Sequence, residues 1–143
     1  MRIAYFDCFS GISGDMTIGA LLDAGLSFED LRAQLALLNV QGYEIAVEKV
    51  KKRGFGGTKF HVRLGDAEPH HRGLHDIAAI IHASALNATV QERTLAVFTR
   101  LAEAEAAVHQ STVDHVHFHE VGAIDAIVDI TGVVIGLHLL GIQ

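Results

Sequence analysis

With 143 residues, 50% of them hydrophobic and only one a proline, the chain has the size of one ordinary domain and the composition of neither a fibrous nor a disordered protein. Its formal net charge of −6 argues against a nucleic-acid partner, whose phosphates require clustered Lys and Arg, and its lone cysteine, Cys8, excludes an internal disulfide and suits a reducing, cytoplasmic setting. The longest apolar run, residues 130–142, falls short of the roughly 20 residues that a membrane helix needs, so no membrane partner is expected.

Residues 2–6, RIAYF, read as a buried strand that runs into a Gly- and Ser-rich loop. DMTIGALLDAG reads as a helix stopped by Gly25, and Ser27 with Asp30 opens a second helix over FEDLRAQLALL. YEIAVEKV and TKFHVRL alternate with period two around RGFGG, which predicts a hairpin with a glycine-bearing turn. The basic cluster Lys49 to Arg53 is then solvated charge at the hairpin end. GDAEPHHRG is loop. LHDIAAIIHASAL and TVQERTLAVFTRLAEAEAAVHQ are helical, the second with Val90, Val97, Phe98, Leu101 and Val108 on one stripe. HVHFH is a possible strand, and a last helix begins near Asp125.

This order predicts an α+β fold, a two-layer sandwich of helices on a small mixed sheet, with the ferredoxin-like βαββαβ arrangement the nearest named one. There the last strand runs antiparallel to the first, which puts Asp7 and His119 at opposite ends of the sheet. If both serve one site, HVHFH is instead a parallel neighbour of the first strand or an irregular approach to the final helix.

The chemistry is concentrated in DHVHFHEVGAID. In an extended segment His115, His117 and His119 share one face while Val116 and Phe118 pack on the other. Imidazoles so spaced can converge on a transition metal, with Glu120 as ligand or orienting partner, or they can be plain half-exposed strand histidines. A second cluster, His70, His71 and His75, lies in EPHHRGLHD, and a helix starting near Gly73 would put His71 and His75 within one turn. His61, His82, His109 and His138 read as packed or surface histidines. In FDCFSGISGDM, Gly11 and Gly14 permit close backbone approach, Ser10 and Ser13 add hydroxyls, and a helix N-terminus follows, a plausible anion cradle that matches no standard phosphate motif. Asp15 favours the helix dipole or, with Asp7, holds a cation or accepts a proton. Cys8 is a soft ligand or nucleophile, or simply a small packed residue. Asp125 and Asp129 sit one turn apart in an apolar helix. Capping accounts for Asp125 but not for Asp129.

FDCFSGISGDM, GALLDAG, HHR with LHDI, LAEAEAAVH and above all VHFHEVGAIDAIVDI resemble the LarC family, the nickel insertion proteins of nickel-pincer cofactor biosynthesis. The resemblance runs from Tyr5 to Ile142, and HFHEVGAID is its most specific part. LarC chains are considerably longer, so it implies that residues 1–143 form a single domain, the N-terminal part of such a chain. It further implies a nickel insertion lyase that places nickel in pyridinium bisthiocarboxylic acid mononucleotide, forming carbon–nickel and sulfur–nickel bonds at the expense of CTP. The product serves lactate racemase and related enzymes. CTP with a divalent cation is expected to need the C-terminal LarC portion, and the isolated domain to be inactive. The family often has a longer histidine-rich insertion near HH than this chain has.

On this reading nickel is held by some of His70, His71, His117 and His119 with Glu120. Glu120, Asp7 and Asp125 are the candidate proton acceptors, and Ser10, Gly11, Ser13, Gly14 and Asp15 hold the mononucleotide. Two other classes fit the same residues: a metal-dependent hydrolase, in which they activate water, and a non-catalytic metal-binding assembly domain. The last helix presents Ile130, Val133, Val134, Leu137 and Leu140 with few polar positions between them, which predicts a homo-oligomer through this helix or cover by the C-terminal portion.

Overall fold

The computed structural model describes residues 1–65, 72–113, 116–118 and 123–142, with the His117 backbone alone at that position. Helix α1, Gly14–Asp23, stops where its glycine signal lies: Gly25 has φ 106°, its N–H reaches the Leu22 carbonyl at 3.2 Å, and the Leu26 N–H reaches that of Leu21 at 3.0 Å. Helix α2, Phe28–Ala36, opens on Ser27, whose hydroxyl accepts the Asp30 N–H at 3.2 Å. Strands β1, Tyr43–Lys52, and β2, Phe55–Leu64, form an antiparallel hairpin closed by Lys52 opposite Phe55. Its turn residues, Arg53 and Gly54, have φ 50° and 90°, the left-handed pair that matches a tight hairpin to strand twist. Strand β3, Arg72–Gly73, leads into α3, Leu74–Ala83. Helix α4, Ala88–His109, opens on Asn87, whose side chain accepts the Thr89 N–H at 2.9 Å. Strand β4, His117–Phe118, precedes α5, Ile124–Leu139.

The α+β class is as expected, but the sheet differs from the ferredoxin-like one. Among the described residues the strands form two separate antiparallel pairs, β1 with β2 and β3 with β4. RIAYF joins neither. It is exposed, and among the described residues its one bridge is parallel, from Arg2 to Ile142 after α5. Local pattern selects an extended segment without supplying the neighbour that makes it a strand. The described part of HVHFH, residues 116–118, lies against β3, with Val116 and Phe118 buried as their alternation requires.

Helix α5 is the hub of the core. Ile127, Val128, Val134 and Ile135 are buried, and Ile130, Val133, Leu137 and Leu140 pack half-buried against the same core. Gly132 and Gly136 form a groove for α1: an added Cβ would lie 2.8 Å from Ile18 Cδ1 at the first and 2.9 Å from Leu21 Cδ1 at the second. Much of the apolar surface of this helix is therefore met from within the domain, while Leu139 stays exposed. On α4 the buried stripe is Val90, Thr94, Phe98, Ala102 and Ala106, while Val97 and Val108 are exposed, because close helix packing admits small side chains at the contact. Among the described residues no helix is long and apolar enough to cross a membrane.

Candidate functional site

The first turn of α1 meets the second turn of α5. Gly14, the first residue of α1, is set against Asp129 so closely that an added Cβ would lie 2.6 Å from Asp129 Cβ and 3.0 Å from its Oδ2. Asp15 and Asp125 lie close enough to Asp129 for their charges to act on it. Asp129 Oδ1 is buried and, among the described residues, without a hydrogen-bond partner. Burial first, then the negative charges of Asp15 and Asp125, push the Asp129 carboxyl up to about 6; the Asp15 backbone N–H, which favours the anion, pulls the other way. The pair of aspartates one turn apart was visible in the sequence, but Asp125 rather than Asp129 looked like the working group. Asp125 is exposed, and its carboxylate accepts the Ala126 N–H at 2.9 Å.

The anion cradle looks different in place. Gly11, at φ 81°, closes a turn by donating its N–H to the Cys8 carbonyl at 2.9 Å. Ser13 donates its hydroxyl to Asp15 Oδ1. The same carboxylate oxygen accepts the Met16 N–H at 2.8 Å, and the Thr17 N–H goes to the Ser13 carbonyl at 3.0 Å. The Ser13 hydroxyl and the Met16 N–H thus already serve Asp15, whose carboxylate adds negative charge at this helix start. Ser10, Asp7 and Cys8 are exposed on the segment ahead of this helix.

The described parts of the two histidine segments, Arg72–His75 and Val116–Phe118, lie at a second place, where β3 meets β4. Arg72 pairs with Phe118 and Gly73 with His117, and Asp76 Oδ2 accepts the Gly73 N–H at 2.9 Å, fixing the start of α3 beside the pair. A cleft of about 540 Å³ opens here, lined by Gly73, Leu74, His75, Asp76, Val113 and Val116. His70, His71, His115, His119 and Glu120 lie outside the described residues, as does the His117 side chain. Among the described residues no group of three or more His, Cys, Asp or Glu is placed to hold a metal ion. Of the histidines read as structural, His61 faces Glu48 at 3.3 Å and His109 faces Glu105 at 3.2 Å, while His82 and His138 are exposed.

Asp129 makes a testable contribution to stability. Its pKa rises from an ordinary 3.8 to about 6 on folding, so between those values the native state holds a proton that the unfolded chain has released. Stability therefore declines as pH rises through this window, and the cost is fully present above it. Asp129→Asn should flatten the decline and stabilise the protein at pH 7.5 by about 1–2 kcal/mol, a value reduced for partial solvation of the group. Urea unfolding at pH 4.5 and 7.5 measures it, and an unchanged pH slope in the variant would remove Asp129 as its cause.

The family described as "Nickel insertion protein" matches residues 4–143. A protein of Roseiflexus castenholzii is 56% identical over 142 residues, which cover 99% of this chain and 36% of that one. The pyridinium-3,5-bisthiocarboxylic acid mononucleotide nickel insertion protein of Desulfitobacterium hafniense strain DCB-2 is 55% identical over 143 residues, 100% of this chain and 35% of its own. The chain spans about a third of the length of these curated relatives. No solved structure matches it.

Proposed function

Because the chain belongs to the nickel insertion protein family, we propose that it takes up nickel through its two histidine segments and presents the ion to pyridinium bisthiocarboxylic acid mononucleotide. The β3–β4 pairing is the observation that supports this most. It sets Arg72, which directly follows His70 and His71, opposite Phe118, which lies between His117 and His119. The proposed ligands are drawn from these four histidines, with Glu120 as a further ligand or orienting group. Imidazole and carboxylate hold nickel without satisfying its affinity for sulfur, so transfer to the substrate's thiocarboxylates is downhill in ligand preference.

Forming a carbon–nickel bond at the pyridinium ring releases the ring C–H proton, and a base must take it. Asp7, Glu120 and Asp125 are the proposed acceptors, and Asp129 joins them because a carboxyl near 6 is matched to proton transfer close to neutral pH. The negative field of Asp15, Asp125 and Asp129 suits the cationic ring better than the phosphate. Ser10, Gly11, Ser13 and Gly14 keep a proposed place against the mononucleotide through the exposed turn. Use of CTP with a divalent cation is proposed to belong to the additional length of the relatives, and the reducing cytoplasm is the proposed setting for the free Cys8.

The test is nickel transfer in a full-length chain carrying this domain. Loaded with nickel and mixed with the mononucleotide and CTP, it should yield nickel-bearing product by mass spectrometry. Asp7→Asn should lower product formation by about tenfold or more while leaving nickel affinity unchanged. Parallel loss of both would move Asp7 into the metal shell, and full activity would remove it from the site.

A further inference from the structure

We infer that Arg2–Phe6 is a sheet strand whose neighbour is the chain that follows Ile142 in the longer relatives, added to it in parallel. The inference is independent of how nickel is held. The segment is apolar yet barely covered, with Ile3 70%, Tyr5 89% and Phe6 43% exposed. Such a strand leaves its backbone N–H and C=O groups open along an edge, which is the geometry that accepts another strand. A groove of about 460 Å³ runs beside it, lined by Ile3, Tyr5 and Phe6 on one side and by Leu21, Leu140 and Ile142 on others.

The identity of the occupant comes from the first step of the pairing, which is already made. Arg2 and Ile142 form a parallel bridge, and Arg2 Nη1 donates to the Leu140 carbonyl at 2.6 Å. After α5 the chain turns through Leu140 and Gly141, the latter at φ 66°, and emerges at Ile142 alongside Arg2 and in the same direction. Parallel strands need a crossover connection, usually a helix, and α5, which packs on α1, leads directly into Ile142. The relatives are long enough to continue the pairing, since this chain matches only 36% of one and 35% of another. A second copy of this chain fits less well, because a two-fold axis perpendicular to the sheet would bring the same strand in antiparallel.

Hydrogen exchange on the full-length Desulfitobacterium hafniense relative tests this. Amides aligned with Ile3–Phe6, and those of the residues just after the position of Ile142, should exchange at least about 100-fold more slowly than a frayed segment, at a rate independent of protein concentration. The register provides a second measurement. With Arg2 opposite Ile142, cysteines at the positions of Ala4 and of the second residue after Ile142 sit across adjacent parallel strands, within reach of a disulfide, and should join within one chain. Rapid exchange of both segments overturns the inference. So does protection that grows with concentration, or a disulfide formed only between chains, since either would assign the edge to a second copy.

Discussion

Gly19→Ala is expected to destabilise the domain by about 3 kcal/mol or more, although alanine is the better helix former by roughly 1 kcal/mol. Gly19 is where α1 crosses β2, and an added Cβ would overlap the Thr58 carbonyl oxygen, a backbone atom with no rotamer to change. Neither side can retreat cheaply. The Thr58 N–H donates to Asp23 Oδ2 at 2.9 Å, and Lys49 Nζ donates to Asp23 Oδ1 at 2.8 Å, so the end of α1 is tied to both strands of the hairpin. The same bonds, that of Lys49 first and those of Thr58 next, lower the Asp23 carboxyl to about 2. Beyond the crossing, Ile18 and Phe60 are fully buried and would have to shift with it. Gly56→Ala is the control: nothing lies within 4 Å of a Cβ there, and the change should stay within about 1 kcal/mol. Urea unfolding decides the matter. A Gly19→Ala protein as stable as the parent would mean that α1 and β2 do not approach as described.

Replacing His117 and His119 together with alanine is expected to lower nickel affinity by about 100-fold or more, since it removes up to two ligands from a small set. The fold should survive, because the segment's contribution to the core comes from Val116 and Phe118, 5% and 2% exposed. Binding to the parent should weaken as pH falls through the imidazole range near about 6.5, because only the neutral ring coordinates. His61→Ala and His138→Ala should bind as the parent does: the first faces Glu48 across the hairpin, and the second lies in the last turn of α5. Calorimetric titration with nickel chloride compares all four. Unchanged affinity in the double variant would leave HVHFH with only its packing role.

The parts of the fold legible in the sequence are those set by local chemistry. Gly25 and Ser27 punctuate α1 and α2 because a left-handed close and a side-chain acceptor are properties of single residues. The alternation of Val116 and Phe118 identified their buried face for the same reason. What escaped depends on residues distant in sequence. RIAYF has the pattern of a buried strand but, among the described residues, is bridged only at Arg2, and the pairing of β3 with β4 cannot be read from either two-residue segment. Thr94, Ala102 and Ala106 replaced Val97 and Val108 on the buried stripe of α4 because helix proximity, not hydrophobicity, chose them. Asp129 was conspicuous as a carboxylate in an apolar helix, yet its elevated pKa arises from burial and then from the charges of Asp15 and Asp125, which the meeting of α1 and α5 produces.

The proposal that the two histidine segments hold one nickel ion is tested most directly by nickel K-edge X-ray absorption on the full-length protein loaded with one nickel per chain in the absence of substrate. The outer-shell scattering characteristic of coordinated imidazole should require at least two histidines in the fit, with oxygen or nitrogen filling the remaining positions. It should be lost when His117 and His119 are both replaced. A spectrum fitted by sulfur, or by oxygen alone, in the unmodified protein would contradict the account, since it would place nickel somewhere other than between the segments that β3 and β4 bring together.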